Sequence, residues 1–459
     1  MSGREQIAER PLPTGAPTGL PRLLAGIPDH GALSLGEHLA LHGELPPLDG
    51  RGRRAGAALI DQVEEAGLRG RGGASFPTAA KLRAVAGASR SPLGGRPIVV
   101  VNAAEGEPAS SKDRTLLQSL PHLVLDGAQL AAAAVGAQEI LVGLCESAAG
   151  AHEGTARAIA ERGRPRRGEP GIELLAVPNS YVAGQESALV NLLGGGPALP
   201  TFTPPRPFER GVRGRPTLVC NVETLAHLAL IARHGPEWFR ELGTAAQPGS
   251  ALITLSGPVA YPGVYEIEHG SPLSALLDAA EGTTAQLRAV LLGGYAGTWI
   301  DAGMLRGVAL SDEHLAPHGA TLGAGVVVLL SGEACPVAEL ARITRWLAAQ
   351  SARQCGPCVF GLDAIATTVE QLVLGGSQPK VQRRLASLAG LVNRRGACAH
   401  PDGAARLVAS ALDVFAEELA DHVRHGPCAA CGRPSELPRP RASAERPAPR
   451  SGTALSNVA

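Results

Sequence analysis

Aromatic rings, lysine, net charge and long apolar runs are all scarce in this 459-residue chain. Aromatics make up only 3% of residues, so any core must be built from Ala, Val and Leu. Acidic and basic residues balance at 42 each. Without a basic excess the chain lacks the electrostatic footprint of a nucleic-acid or membrane-surface protein. No run approaches the ~18 apolar residues of a membrane span, and the N-terminus (MSGREQIAERPLPTG) has no apolar signal core. A soluble, cytoplasmic protein without membrane insertion is expected. Four of the eight cysteines form two C-x-x-C pairs, which suits metal or redox work better than a disulfide framework. The length allows two or three domains with proper cores.

Lysine occurs only at Lys81, Lys112 and Lys380, arginine supplying the other basic residues. Lys81 closes the most motif-like stretch of the chain, GLRGRGGASFPTAAKL at 67–82. Its glycines, among them Gly70, Gly72 and Gly73, let the backbone turn and approach a ligand where a Cβ would collide. The N–H groups of RGRGG and the start of a helix expected from about Thr78 make a setting for phosphate. The spacing is neither G-x-G-x-x-G nor G-x-x-x-x-G-K-[ST], and a helical pattern precedes it, which argues against Rossmann and Walker loops. Phe76, one of six phenylalanines, can stack on a planar ligand or anchor the loop in the core.

Residues 1–50, rich in Pro, Gly and Leu without periodicity, read as a loosely ordered lead-in. From about 55 strands and helices alternate: helix AALIDQVEEAGL, strand PIVVVNA (97–103), helix at about 115–135, strand EILVGLC (139–145), helix at 150–162 and strand IELLAVP (172–178). This pattern predicts an α/β sheet with covered faces, whose ligands gather at the carboxyl ends of the strands. Two loops there carry chemistry. Asn102-Ala-Ala-Glu105-Gly-Glu107-Pro108 runs into Lys112-Asp113-Arg114; its carboxylates can accept bonds from ribityl or ribose hydroxyls, or simply open a helix. Asn179 to Leu189 brings Gly184, Gln185 and Glu186 to another helix start. A proline-rich arm, PPRPFERGVRGRP (204–216), follows, then a strand and a helix entered through Asn221 and Glu223. Residues 246–331 alternate short strands with one helix, and from about 332 the apolar spacing of three and four marks a helical bundle. Cys355-Gly-Pro-Cys358 opens one bundle helix, and Cys398 sits in the loop RRGACAHPDG. Residues 433–459 form a Pro/Arg/Ser tail expected to be disordered.

GLRGRGGASFPTAAKL, NAAEGEPASSKDR, YVAGQESAL and GRPTLVCNVETLA, in this order, resemble the NADH-binding flavoprotein subunit of respiratory complex I and the related subunits of NAD-linked formate dehydrogenases and hydrogenases. The resemblance covers roughly 55–425. It implies an α/β FMN-binding domain (51–245), a small β-grasp domain (246–331) and a C-terminal helical iron–sulfur bundle (332–432). It implies an NADH dehydrogenase flavoprotein subunit that passes hydride from NADH, or NADPH, to FMN and single electrons to an iron–sulfur cluster. The partner would be a small iron–sulfur subunit or a ferredoxin, within a larger redox complex. By resemblance FMN contacts Gly70, Gly72, Gly73, Lys81, Asn102, Glu105, Gly184, Glu186 and Asn221, and the dinucleotide lies over Phe76 and Glu107, with no general base required.

The chain departs from the family pattern at Ala104 (for Asp), at Gln185 (for Glu), and at Thr203 and Arg206, where the arm loses a lysine and an aromatic platform for adenine. Arg206 can stack on adenine or meet a 2′-phosphate, which leaves NADPH open. An alternative is a divergent relative acting as an electron-relay or assembly subunit. The cluster ligands implied are Cys355, Cys358 and Cys398, with Ala352 standing where the family has another cysteine. Cys428, Cys431 and Cys335, with His400, His422 and His425 nearby in sequence, are candidates for the missing ligand. Zinc is the rival to a 4Fe–4S cluster, free thiols the third reading, and Cys145 and Cys220 read as small buried hydrophobes.

Overall fold

The computed structural model describes residues 19–46, 53–89, 95–165, 169–375 and 380–438, without the side chains of 53–55 and 306. The first half runs α1 (Leu35–His42), α2 (Arg53–Ala66), α3 (Thr78–Ala88), β1 (Ile98–Ala103), α4 (Lys112–Ser119), α5 (Pro121–Val135), β2 (Glu139–Cys145), α6 (Ala149–Arg162), β3 (Gly171–Val177), α7 (Glu186–Leu193), β4 (Thr217–Asn221) and α8 (Val222–Arg240). Its four strands form an all-parallel sheet in the order β3-β2-β1-β4. The apolar run of β1 is continuous because both faces are covered. Val99 and Val101 enter a core shared with α2, α3, α5 and α8, whereas Ile98 and Val100 face Ala183, Leu189 and Val190 around α7. The expected helix at 115–135 is two helices. Pro121 lacks the N–H that would continue α4, and it suits the first position of α5.

The second half runs β5 (Ser250–Ser256), β6 (Gly263–Glu268), α9 (Leu273–Ala279), β7 (Leu287–Leu292), β8 (Thr298–Asp301), α10 (Asp312–Leu315), β9 (Val326–Ser331), α11 (Pro336–Ala349), α12 (Leu362–Val373), α13 (Val381–Val392), α14 (His400–Val414) and α15 (Ala416–His425). The five strands pair in the order β6-β5-β9-β7-β8, with only β5 and β9 parallel. The strands have two apolar faces with different clients. Ile253, Val290 and Val327 pack with Leu273 and Leu276 of α9, whereas Leu291, Val326 and Val328 pack with α11, α12 and α14. Sheet and bundle therefore share one core, sealed by Trp299 against Phe415 at 5.2 Å between ring centroids.

Two expectations about the chain ends are corrected. Residues 19–46 are ordered: the backbone N–H groups of Arg22, Leu23 and Leu24 all donate to the buried Glu266 carboxylate of β6, and Ser34 and Glu37 form a reciprocal cap on α1. Residues 433–438 are ordered too, with Leu437 buried and Glu436 accepting from the backbone N–H of Ser331. The remainder of the lead-in and tail, residues 1–18, 47–50 and 439–459, lies outside the described residues. Among the described residues no helix is long and apolar enough to cross a membrane.

Candidate functional site

The site is built where strands end. Asn102 and Asn221 are register partners at the carboxyl ends of β1 and β4. Asn102 Nδ2 donates to the Gly184 carbonyl at 2.9 Å, drawing in the turn before α7. Gly184 is obligatory, because a Cβ there would collide with the Ala104 carbonyl. The glycine loop arrives from the other side. It is pinched by Gly70 N–H donating to the Phe76 carbonyl at 2.8 Å and docked by Arg71 N–H donating to Thr224 Oγ1 at 2.9 Å. Gly72 packs on the Asn221 side chain, and Gly73 holds a φ of 101° that favours glycine. Lys81 then reaches back: its Nζ lies 2.8 Å from the Val219 carbonyl and 2.6 Å from Glu186 Oε1. The three loops singled out in the sequence thus converge at one sheet edge.

Beneath them lies a charge network. Lys112, only 2% exposed, pairs with Asp113 at 2.7 Å and Glu223 at 2.9 Å. Asn221 Nδ2 donates to Asp113 Oδ2 at 2.6 Å, and Glu105 accepts from Ser110 Oγ and from the N–H of Asp113. Burial pushes the Asp113 carboxyl up, to about 6, against the pull of Lys112. Arg71 extends the network to His269 at 2.5 Å and to the Ser250 carbonyl. Burial and the Arg71 charge hold His227 and His269 well below the ordinary histidine range. Of these residues His227 and His269 carry no readable signal in the sequence, where a polar residue on a helix- or strand-patterned segment reads as solvated surface, and Arg71 reads only as part of the glycine loop.

Glu107 is buried, and its carboxylate accepts from the backbone N–H of Tyr295 at 3.0 Å and of Ala109 at 3.2 Å. It braces the turn after β7 against the Asn102 loop. Phe76 is 52% exposed on the glycine loop. On the proline-rich arm Arg206 is exposed, its N–H donating to Glu209, and the neighbouring Phe202 is 84% exposed. Phe202 escapes notice in the sequence because it precedes the arm's motif. Gln185, at the altered family position, caps α7 by accepting from the Ala188 N–H at 2.9 Å, a role its amide oxygen fills as well as a carboxylate would.

A small cleft open to solvent beside this site is lined by Glu105, Glu107, Tyr181, Trp346 and Gln350. There the first half meets the bundle: Tyr181 N–H donates to Gln350 Oε1 at 2.9 Å, and its ring packs edge-on against Trp346. Burial raises the Tyr181 hydroxyl, which lies within electrostatic reach of both Glu107 and Cys398. The cysteines fall into two groups. Cys358 feels Cys355 and Cys398, and Cys398 feels Cys355. This is the trio expected, and Ser351 Oγ donates to the Cys358 carbonyl at 3.0 Å beside the buried Ala352. Cys335, His422, Cys428 and Cys431 make the second group, their donor atoms all within 4.8 Å of one another. Completion of the trio by Cys335, Cys428 or Cys431 is therefore not the arrangement found. His400 is committed to the Leu347 carbonyl at 2.9 Å, and His425 stands outside the second group. Cys145 and Cys220 are buried, burial pushing the Cys220 thiol up to about 11.

These donors fit the cofactors in question. Glycine-loop amides, an ammonium and two carboxamides suit a phosphorylated flavin, and three converging thiols suit an iron–sulfur cluster held by thiolates. Residues 63–230 match the Nuo51 FMN-binding domain, and residues 338–422 match the iron–sulfur binding region of NADH-ubiquinone oxidoreductase F. The second F subunit of NADH-quinone oxidoreductase from Rhizobium meliloti is 32% identical over 384 residues, covering 81% of this chain and 90% of that one. The corresponding F subunit of Streptomyces coelicolor is 33% identical, covering 81% and 84%. Among solved structures, an NAD+-reducing NiFe hydrogenase in its H2-reduced state aligns with a TM-score of 0.74 at 32% identity, over 82% of this chain and 66% of that one. With this identity sustained along four-fifths of its length, the chain belongs to the family of NADH-quinone oxidoreductase F subunits.

Proposed function

We propose that the protein is an NADH-oxidising flavoprotein subunit that delivers electrons through an iron–sulfur centre to a partner. The observation that carries this reading is the convergence of the Gly70–Gly73, Asn102 and Gly184 turns at the carboxyl ends of β1 and β4. Bound FMN supplies the conversion between a two-electron donor and one-electron acceptors. The chain's own residues do the rest. The glycine-loop amides and Lys81 hold the phosphate, Asn102, Asn221 and Glu186 fix the flavin's orientation, and the buried Lys112–Asp113–Glu223 network keeps the loops from moving. Glu105 joins the flavin wall, its carboxylate tethered by Ser110. Phe76 and Phe202 offer exposed rings to the dinucleotide, and Arg206 offers a cation to a 2′-phosphate, so NADPH remains a substrate to test.

Residues 51–245 are read as the FMN domain and 332–432 as the cluster domain. Residues 246–331 are read as a β-grasp domain, a reading supported by the hairpin β5–β6, the helix α9 and the central parallel pair β5–β9. Cys355, Cys358 and Cys398 would hold the cluster, with a ligand other than cysteine completing it at Ala352. Val359 and Phe360, exposed beside Cys358, give an apolar surface where a small iron–sulfur partner or a ferredoxin would collect electrons. A cytoplasmic location and a place in a larger redox complex are part of this reading. The lysine-free exposed arm favours a second one, an electron-relay or assembly subunit that has lost the dinucleotide. Anaerobically purified protein should show flavin and iron–sulfur bands, and NADH or NADPH should bleach the flavin in stopped flow. Bands without bleaching by either would leave the relay; neither band would end both.

A further inference from the structure

Cys335, His422, Cys428 and Cys431 reach one point from three parts of the chain. Cys335 caps the start of α11, directly after the last strand of the second sheet; His422 lies in the last turn of α15; and Cys428 and Cys431 flank the turn that follows. Their donor atoms are spaced as a tetrahedron requires. Cys428 Sγ and Cys431 Sγ are 3.7 Å apart, Cys431 Sγ and Cys335 Sγ 3.5 Å, and His422 Nε2 stands 3.5 Å from Cys335 Sγ and 3.9 Å from Cys431 Sγ. A tetrahedral ion with bonds of about 2.3 Å to sulfur and about 2.0–2.1 Å to nitrogen places its ligand atoms roughly 3.5–3.8 Å apart. A cubane cluster needs room for eight atoms inside its ligand cage, and donors in mutual contact leave none. Thiols are also weak hydrogen-bonding groups, too weak to draw three cysteines and an imidazole from such distant segments into contact.

We propose that these four residues bind one structural zinc ion, separate from the Cys355, Cys358 and Cys398 trio. The three thiols give up their protons on binding, and neutral His422 enters through Nε2. Only His422 falls within the matched iron–sulfur region, 338–422; the three cysteines lie outside it. The ion closes the carboxyl-terminal segment over the junction of β9 and α11. Glu436 already bonds Ser331 there, and Ser435 Oγ donates to Glu339 at 2.6 Å. Four protein ligands leave no open position, which marks a structural rather than a catalytic site. This assignment is independent of the flavoprotein reading.

The test uses the full chain purified anaerobically, with zinc and iron counted by mass spectrometry. About one zinc per chain is expected beside the iron, and the Cys428→Ser/Cys431→Ser double variant should lose at least about tenfold of the zinc while keeping the iron. Cys355→Ser/Cys358→Ser should do the reverse. The zinc X-ray absorption edge of the unaltered protein should fit about three sulfurs near 2.3 Å and one nitrogen near 2.0–2.1 Å, a readout that stands even if the double variant fails to fold. Iron-replete protein free of zinc, zinc undiminished in the Cys428/Cys431 variant, or an edge with oxygen and nitrogen ligands alone would each overturn the assignment.

Discussion

The flavin-facing and dinucleotide-facing walls of the site are built on opposite plans. On the first, Lys112, Asp113, Glu105 and Glu223 are buried and each has a named partner, and the loops above them are tied down by side chain–backbone bonds from Asn102, Arg71 and Lys81. On the second, Phe76, Phe202 and Arg206 stand exposed on turns, with little packed over them. A change on the first wall strands a charge in a medium that cannot solvate it. A change on the second costs the fold almost nothing. Of the chain's departures at the site, Thr203 and Arg206 fall on the exposed arm and Ala104 and Gln185 on the flavin side. Gln185, on the buried side, is tolerated because it preserves the cap.

The largest effect should come from Lys112→Met, which leaves Asp113 buried without its cation and Glu223 with only Arg71, at 3.8 Å. Breaking a buried pair by removing one partner costs about 3–5 kcal/mol. Urea unfolding should show a loss of that order together with loss of bound flavin; a cost below about 1 kcal/mol would mean the two walls do not differ as described. Next comes Lys81→Met. Lys81 is half-buried and sits over the strand ends, so the variant should fold normally. A hydrogen bond to a charged group is worth about 1.5–3 kcal/mol, so flavin should bind roughly ten- to a hundredfold more weakly, as read by fluorescence titration of the apoprotein.

The dinucleotide wall should respond in kinetics alone. Phe202→Ala removes an exposed ring, and aromatic stacking worth about 0.5–1.5 kcal/mol predicts a roughly two- to tenfold rise in the KM for NADH with kcat and melting temperature unchanged. A fall in kcat or in stability would show that the ring is part of the scaffold. In the same assay Arg206→Glu should weaken NADPH more than NADH if its guanidinium meets the 2′-phosphate.

How much of this is legible in the sequence follows the same division. The glycine loop, Asn102 and Gly184 can be read because backbone geometry restricts residue choice at turns and strand ends to a few types, whereas Asn221 follows only from the family resemblance. Strands β1, β2 and β3 can be placed within a residue because their apolar runs are continuous. The Arg71, His227 and His269 network cannot, since nothing local distinguishes a buried ionic residue from a solvated one. Cys335 and His422 meet across 87 residues, a juxtaposition that no spacing rule reaches. The lead-in reads as loose although residues 22–24 are fixed by backbone N–H groups on Glu266, an interaction that leaves no periodicity behind. Ala352 shows in the sequence as an absence, and the structure adds that the position is buried, next to Ser351, whose hydroxyl donates to the Cys358 carbonyl.

The smallest effect, and the most specific to the buried wall, is one of pH. His227 and His269 are held well below their ordinary values, so in the folded protein they stay neutral where the unfolded chain, with a histidine pKa of about 6.5, takes up protons. The unfolded state then binds more protons, and stability must fall as the pH drops below about 6.5. Asp113 works in the opposite sense: raised to about 6, it is protonated more readily when folded, and so contributes stability as the pH falls from about 6 toward 4. Total stability therefore mixes two slopes, and a single melting curve cannot separate them. His269→Gln can. It removes the histidine that faces Arg71 while leaving Asp113 in place, so the difference in melting temperature between pH 7.5 and pH 5.5 should be smaller in the variant than in the parent. An unchanged difference would mean that His269 takes up its proton in the folded state, with Arg71 turned away from it, and that the network ends at Glu223.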